Sequence, residues 1–386
     1  MNIAFLTPEY SHPKVAHAAG IGTSIKNLAI ALQKEGNDIT VFVYGQSTQE
    51  IIDDNGVKIH LIKNRKHSFF GWYLHRKHIE KYCNSVINKE KIEILEAPDW
   101  TGITAFMKFR IPLVIRFHGS DTYFCHLEKR KQRKKNFWFE KLALQDAKAF
   151  IAPTDFAGKL TNTLFKNQKI ETKVIPNGID LTLFKNEFPE QYIENTILYI
   201  GTLIRKKGVL ELPSIFNQVR KSIPNAKLIL IGGDSFDIQT GSDSTWKIMQ
   251  NSFEPEDLEN VSYLGQIAYK EVQQHIKEAN VCVFPSFAET LGMVTIEAMA
   301  MQKAIVNTNI GWAQELINDQ ESGFLVHPTN HMDYANRIIE LLQNKKLALE
   351  IGKKARLRVE DKFDIKKIAK ENIMFYSKII NSNSIR

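Results

Sequence analysis

The sequence predicts two α/β units of Rossmann-like architecture in series. Three observations carry this: short β-branched runs alternate with longer amphipathic segments, a Pro-Asn-Gly break interrupts the alternation near the middle, and 386 residues exceed one ordinary core. The expected organisation is a first domain over residues 1–190, a second over 191–363, and a helix over 364–386 that packs back on the first. Two such sheets are expected to face each other across a cleft, with ligands at the carboxyl ends of the strands.

In the first half the strands read IAFL (3–6), ITVFVY (39–44), VKIHLI (57–62), IEIL (92–95), LVIRF (113–117), AFIA (149–152) and TKVI (172–175). A turn is expected at PNGID, where Pro176, Asn177 and Gly178 stand together. The pattern restarts with TILYIG (196–201), AKLILIGG (226–233), VSYLG (261–265), VCVF (281–284), AIVN (304–307) and GFLV (323–326).

Composition narrows the function classes. With 43% hydrophobic and 24% charged residues the chain reads as globular. It shows no basic leader and no run of about 18 apolar residues, so a cytosolic location is expected. Cys83, Cys125 and Cys282 are far apart and lack metal-ligand spacing, so buried reduced thiols are expected rather than disulfides or zinc. The net charge of +8 lies in the first half, where residues 1–190 hold 28 Lys and Arg against 20 Asp and Glu.

Five segments could carry chemistry. In AETLGMVTIEAMA (288–300), Glu289 stands before an apolar helical pattern and Glu297 about one turn inside it. A helix start offers free N–H groups and partial positive charge, so the Leu291, Gly292 and Met293 amides could hold an anion. Glu289 could then grip sugar hydroxyls and Glu297 a ribose diol; the plainer alternative is a dipole-complementing Glu289 and a solvated Glu297. In GTLIRKKGVLEL (201–212), Arg205, Lys206 and Lys207 precede Gly208 and a new helix, which suits a diphosphate or a solvated loop.

The segment HAAGIGTSIKNLAIAL (17–32) places Gly20-Ile21-Gly22 at a helix start but lacks the third glycine of a dinucleotide fingerprint. The second strand ends in Tyr44 and Gly45 instead of a ribose-binding acid, which disfavours a nicotinamide enzyme. His118 in RFHGSDTYF follows a strand and could face the ligand crevice or be structural; Asp121 is a lesser candidate. Lys129, Arg130, Lys131, Arg133, Lys134 and Lys135 run into Phe137, Trp138 and Phe139. Cations beside aromatics suit an anionic membrane surface or a phosphate-bearing acceptor, and equally a solvated helix face. One local basic run without a recognition motif fits nucleic acid poorly.

The ordered set PEY…GIGT, FHG, VIPNGID, YIGTL…KKG, LIGGD, YLGQI, VFPSFAETLGMVTIEAMA, NIGWAQELI and SGFLV resembles the GT-B fold glycosyltransferases of family 4, retaining enzymes with nucleotide-sugar donors, over nearly the whole chain. The resemblance implies that Glu289 contacts the donor sugar and Glu297 the ribose, with Lys206 and Lys207 at the basic diphosphate pair and Arg205 beside them. It also implies Gly20 at the phosphate, His118 at the sugar or reaction centre, the Ile267 backbone at the base, and PNGID at the domain hinge. It departs from the family at Ala19, Thr202, Gln302, Ala304 and Trp312. Thr202 replaces a frequent arginine, so the phosphate role falls on residues 205–207.

The expectation is a retaining, metal-independent hexosyltransferase, since no Asp-x-Asp motif is present. A UDP-sugar is the favoured donor. The acceptor expected is a glycan or lipid-linked glycan of capsule, exopolysaccharide or lipopolysaccharide assembly at the inner membrane face, with residues 129–138 in peripheral contact. No cofactor is expected. A phosphorylase of related fold and a non-catalytic sugar-binding protein remain as alternatives.

Overall fold

The computed structural model describes residues 1–16, 20–65, 69–167 and 170–384. Two compact units form: residues 1–180 with 364–386, and residues 181–363. The boundary falls earlier than residue 190 because the intervening segment is tied to the second unit. Asn186 Nδ2 donates to the Met301 carbonyl at 3.2 Å, and Arg356 Nη1 donates to the Phe184 carbonyl at 2.7 Å.

The first unit holds β1 (Asn2–Thr7), α1 (Gly20–Lys34), β2 (Asp38–Gln46), β3 (Glu50–Asp54), β4 (Val57–Lys63), α2 (Gly71–Glu90), β5 (Ile94–Pro98), β6 (Leu113–Arg116), α3 (Asp121–Leu127), α4 (Lys134–Gln145), β7 (Ala149–Ala152), α5 (Asp155–Phe165) and β8 (Thr172–Val174). The strands form one sheet in the order β3-β4-β2-β1-β5-β6-β7-β8. Alternation along β1 sends Ile3 and Phe5 to one face, against Ile25 and Leu28 of α1, and Ala4 and Leu6 to the other, against Ile79 and Cys83 of α2. Polar side chains cap helix starts: Ser120 accepts from the Tyr123 N–H and Thr154 from the Ala157 N–H.

Two expectations are corrected here. The β3–β4 pair is an antiparallel hairpin rather than part of the parallel alternation, turned by Asn55 and Gly56 with φ of 57° and 83°. An Asn-Gly turn with both residues left-handed matches the strand twist and needs no crossover helix. PNGID does not form a turn; residues 175–178 are irregular, and Ile179 instead bridges to Asp364 in parallel. A Cβ at Gly178 would lie 2.8 Å from the Ile365 Cα, so the requirement for glycine is close approach.

The second unit holds β9 (Thr196–Ile200), α6 (Leu212–Ser222), β10 (Lys227–Ile231), α7 (Thr245–Gln250), α8 (Pro255–Leu258), β11 (Val261–Tyr263), α9 (Tyr269–Glu278), β12 (Val281–Phe284), α10 (Met293–Ala300), β13 (Ala304–Asn307), α11 (Trp312–Leu316), β14 (Phe324–Leu325), α12 (His331–Gln343) and α13 (Lys345–Lys362). Its parallel sheet runs β11-β10-β9-β12-β13-β14. The buried core includes Val281 and Val283 of β12, Phe216 of α6 and Tyr334 of α12.

The last helix, α14 (Ile365–Ser384), completes the first unit, with Ile368, Phe375 and Tyr376 in the same cluster as α1. A buried polar network fastens it. Arg116 grips Glu96 through Nε at 2.7 Å and Nη2 at 3.1 Å; the same Nη2 reaches Asn372 Oδ1 at 2.5 Å, and Tyr376 donates to Glu96 Oε2 at 2.5 Å. Such a pair is costly to leave half-satisfied. Tyr376→Phe is expected to lower the stability of the first unit by about 2 kcal/mol, measured by urea unfolding.

All three cysteines are buried free thiols. Among the described residues, no helix is long and apolar enough to cross a membrane.

Candidate active site

In the second sheet β9 lies between β10 and β12. The chain leaves β9 toward β10 on one side and returns later to β12 on the other, so the topological switch point lies between β9 and β12. Ligands in open α/β sheets bind at the carboxyl ends of strands at such a point. The two segments that emerge there are residues 201–208, after β9, and residues 285–292, after β12.

These segments are joined directly. The Lys206 carbonyl accepts from the Phe287 N–H at 2.8 Å and the Ala288 N–H at 3.2 Å. Arg205–Lys207 form a 3₁₀ turn, and Gly208 closes it with φ of 68°. A Cβ at Gly208 would sit 1.8 Å from the Pro285 carbonyl oxygen, so only glycine lets the two loops meet.

Lys207 Nζ forms an ion pair with Glu289 Oε1. Burial, then the neighbouring Lys206, pulls the Lys207 ammonium down to about 7. Arg205 is engaged differently: its Nε and Nη2 donate to the two oxygens of Asp237 at 2.9 and 2.8 Å. The Arg205 guanidinium, burial working against it, and Thr240 set the buried Asp237 carboxyl at about 2. Arg205 therefore braces the Asp237 loop, whose carboxylate also accepts from Thr240. Asp237 was invisible to the motif reading, because its partner lies 32 residues away.

Gly292, with φ of 93°, starts α10, which has no side-chain cap. The first N–H groups of a helix have no intrahelical acceptor, so this end is suited to an anion. Leu291 is buried and Met293 half-buried, with Ile296 and Ala300 in the core below. Glu297 is only 7% exposed. Burial raises its carboxyl to about 7, against the lowering effect of Tyr269, whose hydroxyl donates to Glu297 Oε1 at 2.9 Å. A solvated Glu297 is thereby ruled out. A buried carboxylate set among Ile296, Ala298, Met299 and Ala300 costs stability unless something binds it.

Tyr269 begins α9, two residues after Ile267, which is half-buried in the loop after β11. The Ile267 loop and Glu297 are thus linked through one hydroxyl. A depression at the strand ends is lined by Lys207, Glu289, Gly292, Thr295, Asn307 and Trp312. Asn307 Nδ2 reaches Thr295 Oγ1 at 3.3 Å. The sequence reading missed Thr295 and Asn307, although an Asn closing the buried strand AIVN was a usable signal.

Gly20 and His118 belong to the first unit. Gly20 opens α1, and a Cβ there would meet nothing within 4 Å, so internal packing does not demand the glycine. His17, Ala18 and Ala19, which precede it in the proposed phosphate loop, lie outside the described residues. His118 follows β6, and its N–H donates to Asp99 Oδ1 at 2.8 Å. Burial, then the nearby Arg116, lowers the imidazole to about 3, leaving it neutral at physiological pH. Burial raises Asp99 to about 7, and its Oδ2 has no partner among the described residues. Asp121 is engaged by Arg130, Asn136 and Cys125.

Two family models cover the chain in tandem, with their junction beside the boundary between the units. Glycosyltransferase Family 4 matches residues 18–183, and Glycosyl transferases group 1 matches residues 182–358. The chain belongs to glycosyltransferase family 4. A glycosyltransferase of Methanocaldococcus jannaschii is 25% identical over 97% of this chain and 98% of its own length. The alpha-monoglucosyldiacylglycerol synthase of Streptococcus pneumoniae is 23% identical over 89% of this chain and 78% of its own. The structure of Anabaena HepE in complex with UDP-glucose superposes with a TM-score of 0.72 at 19% identity, covering 98% of this chain and all of that one. The fold of this family 4 glycosyltransferase is accordingly GT-B, built from two Rossmann-like α/β units.

Proposed function

We propose that this glycosyltransferase moves a sugar, with retention, from a UDP-sugar to a hydroxyl of a glycan or lipid-linked glycan in cell-surface polysaccharide assembly, without a metal. The observation that carries the reading is the convergence of Lys207, Glu289 and the α10 start at the β9/β12 switch point, with Glu297 buried one turn deeper. The UDP-glucose complex of Anabaena HepE, a protein of the same fold, supports the donor class.

In this reading the diphosphate lies against the α10 amides and the Lys206–Lys207 turn, which stabilise the charge that develops as the sugar–phosphate bond breaks. Arg205, braced by Asp237, positions that turn. Glu289 exchanges its pairing with Lys207 for the sugar hydroxyls, and Glu297 accepts from the ribose diol while Tyr269 holds it in place. Attack comes from the face the leaving group departs. The acceptor oxygen bonds to the anomeric carbon, the anomeric carbon–phosphate oxygen bond breaks, and the acceptor proton passes to the leaving phosphate oxygen. Glu289 acts by positioning and charge.

Release of UDP from UDP-sugars tests this, with simple glycoside and lipid-phosphate acceptors and excess EDTA. The expected result is acceptor-dependent UDP release that EDTA leaves unchanged, with the product anomer matching the donor by NMR. Inversion, or dependence on inorganic phosphate in place of a nucleotide, would overturn it.

A further inference from the structure

A second surface, on the first unit, is unexplained by sugar transfer. Phe69 and Phe70, before α2, are 81% and 72% exposed, and Trp138 on α4 is 57% exposed. Trp138 belongs to a connected set of rings, and Phe69 and Phe70 stand three and two residues before another of its members, Trp72. Trp72 lies 5.4 Å from Phe106 and 5.0 Å from Phe139, Tyr73 lies 5.9 Å from Phe106, and Phe106 lies 6.4 Å from Trp138. Phe70 and Phe106 hold left-handed backbone, with φ of 49° and 65°, a conformation rare for bulky residues. Single exposed apolar residues need no explanation, but a contiguous aromatic patch marks an interaction site.

The charge around the patch identifies the partner. The three contributing segments, residues 69–79, 100–112 and 129–139, contain ten Lys and Arg, of which Arg76 is buried, and no Asp or Glu. Lys77 is balanced by Glu80, and Arg130 by Glu128 and Asp121. Among the described residues, Lys129, Lys131, Arg133 and Lys134 have no carboxylate partner, while Lys135 Nζ stands 5.8 Å from the Trp72 ring and 5.5 Å from Phe139. A second copy of the same face would repel this one. Aromatic rings set among cations match the headgroup boundary of an anionic bilayer, where Trp and Tyr seat their amphipathic rings and Lys and Arg meet lipid phosphates.

We infer that the start of α2, the segment around Phe106 and the start of α4 form a peripheral docking surface for an anionic phospholipid bilayer. It extends the basic segment at 129–138 with a second helix remote in sequence. The surface gives the reading of a lipid-linked acceptor a physical basis, yet its test uses no donor, so either can fail while the other stands.

The test is sedimentation of the full chain with phosphatidylcholine vesicles, with and without phosphatidylglycerol. Wild type should pellet with the anionic vesicles only, and less at high salt. Lys131→Glu with Lys134→Glu should weaken binding about a hundredfold, since each reversal exchanges an attraction for a repulsion. Phe69→Ser with Phe70→Ser should weaken it about tenfold or more. In parallel, tryptophan emission of the wild-type chain should shift to shorter wavelength on adding anionic vesicles and be quenched by brominated lipid, a readout needing no variant. No pelleting, equal pelleting with neutral vesicles, or unchanged binding by folded variants would overturn the inference. Capture by an acidic protein without vesicle binding would assign the face to that partner instead.

Discussion

Glu297→Gln is expected to make the free protein more stable at and above neutral pH while weakening its response to nucleotide. Burial lifts the Glu297 carboxyl from 4.5 to about 7 in the folded state. Between these values the folded chain binds a proton that the unfolded chain has lost, so stability falls as pH rises through the interval. Below about pH 4.5 Glu297 exacts nothing; above about pH 7 it costs the fold roughly 3 kcal/mol. The neutral amide removes that cost and still accepts from Tyr269. Melting curves for the two proteins should coincide near pH 4.5 and separate by a few degrees at pH 8, the variant higher. The same variant should bind UDP about tenfold more weakly or worse, since the charged acceptor proposed for the ribose diol is gone. A variant less stable than wild type at pH 8 would mean that Glu297 serves the fold and not a ligand.

Glu289→Gln should behave in the opposite sense. Its carboxylate is mostly buried and pairs with Lys207, whose charge burial already weakens, so stability should fall modestly, by about 1 kcal/mol. Turnover should fall by about 10²–10³, the cost of removing one preorganised electrostatic contact in a water-excluded site. UDP should stabilise this variant as much as wild type, because the proposed Glu289 contact is to the sugar. Steady-state kinetics with UDP release as the readout separates the two outcomes. Unchanged kcat would remove Glu289 from the reaction; lost UDP binding would place it at the diphosphate.

How far these residues could be found without coordinates depended on sequence distance. VCVF and AIVN mark β12 and β13 at their full extent, because a buried parallel strand is apolar on both faces and reads as one run. Glu289, Gly292 and Glu297 were legible for the same local reason: a glycine between a strand and an apolar helix announces an open helix start. The β3–β4 hairpin escaped, although DDNGVK holds the Asn-Gly signal, since EIIDD carries too few apolar residues to read as a strand. What the site residues touch was not legible. Lys207 meets Glu289 across 82 residues and Tyr269 meets Glu297 across 28. Only the parallel order that sets β9 beside β12 brings the first pair together, and the same topology consumes part of the Arg205 fork on Asp237. The aromatic patch escaped for a related reason, as Trp72 and Trp138 stand on different helices.

The most direct measurement is a thermal-shift panel of UDP, GDP and ADP with their common sugars, in EDTA, on wild type and Glu297→Gln. A nucleotide at about a hundred times its dissociation constant stabilises the protein by roughly 2.7 kcal/mol, a shift of a few degrees. The predicted result is a shift with UDP and a UDP-sugar that shrinks in the variant. No shift with any nucleotide, or equal shifts in both proteins, would contradict a donor site built on Lys207, Glu289 and Glu297.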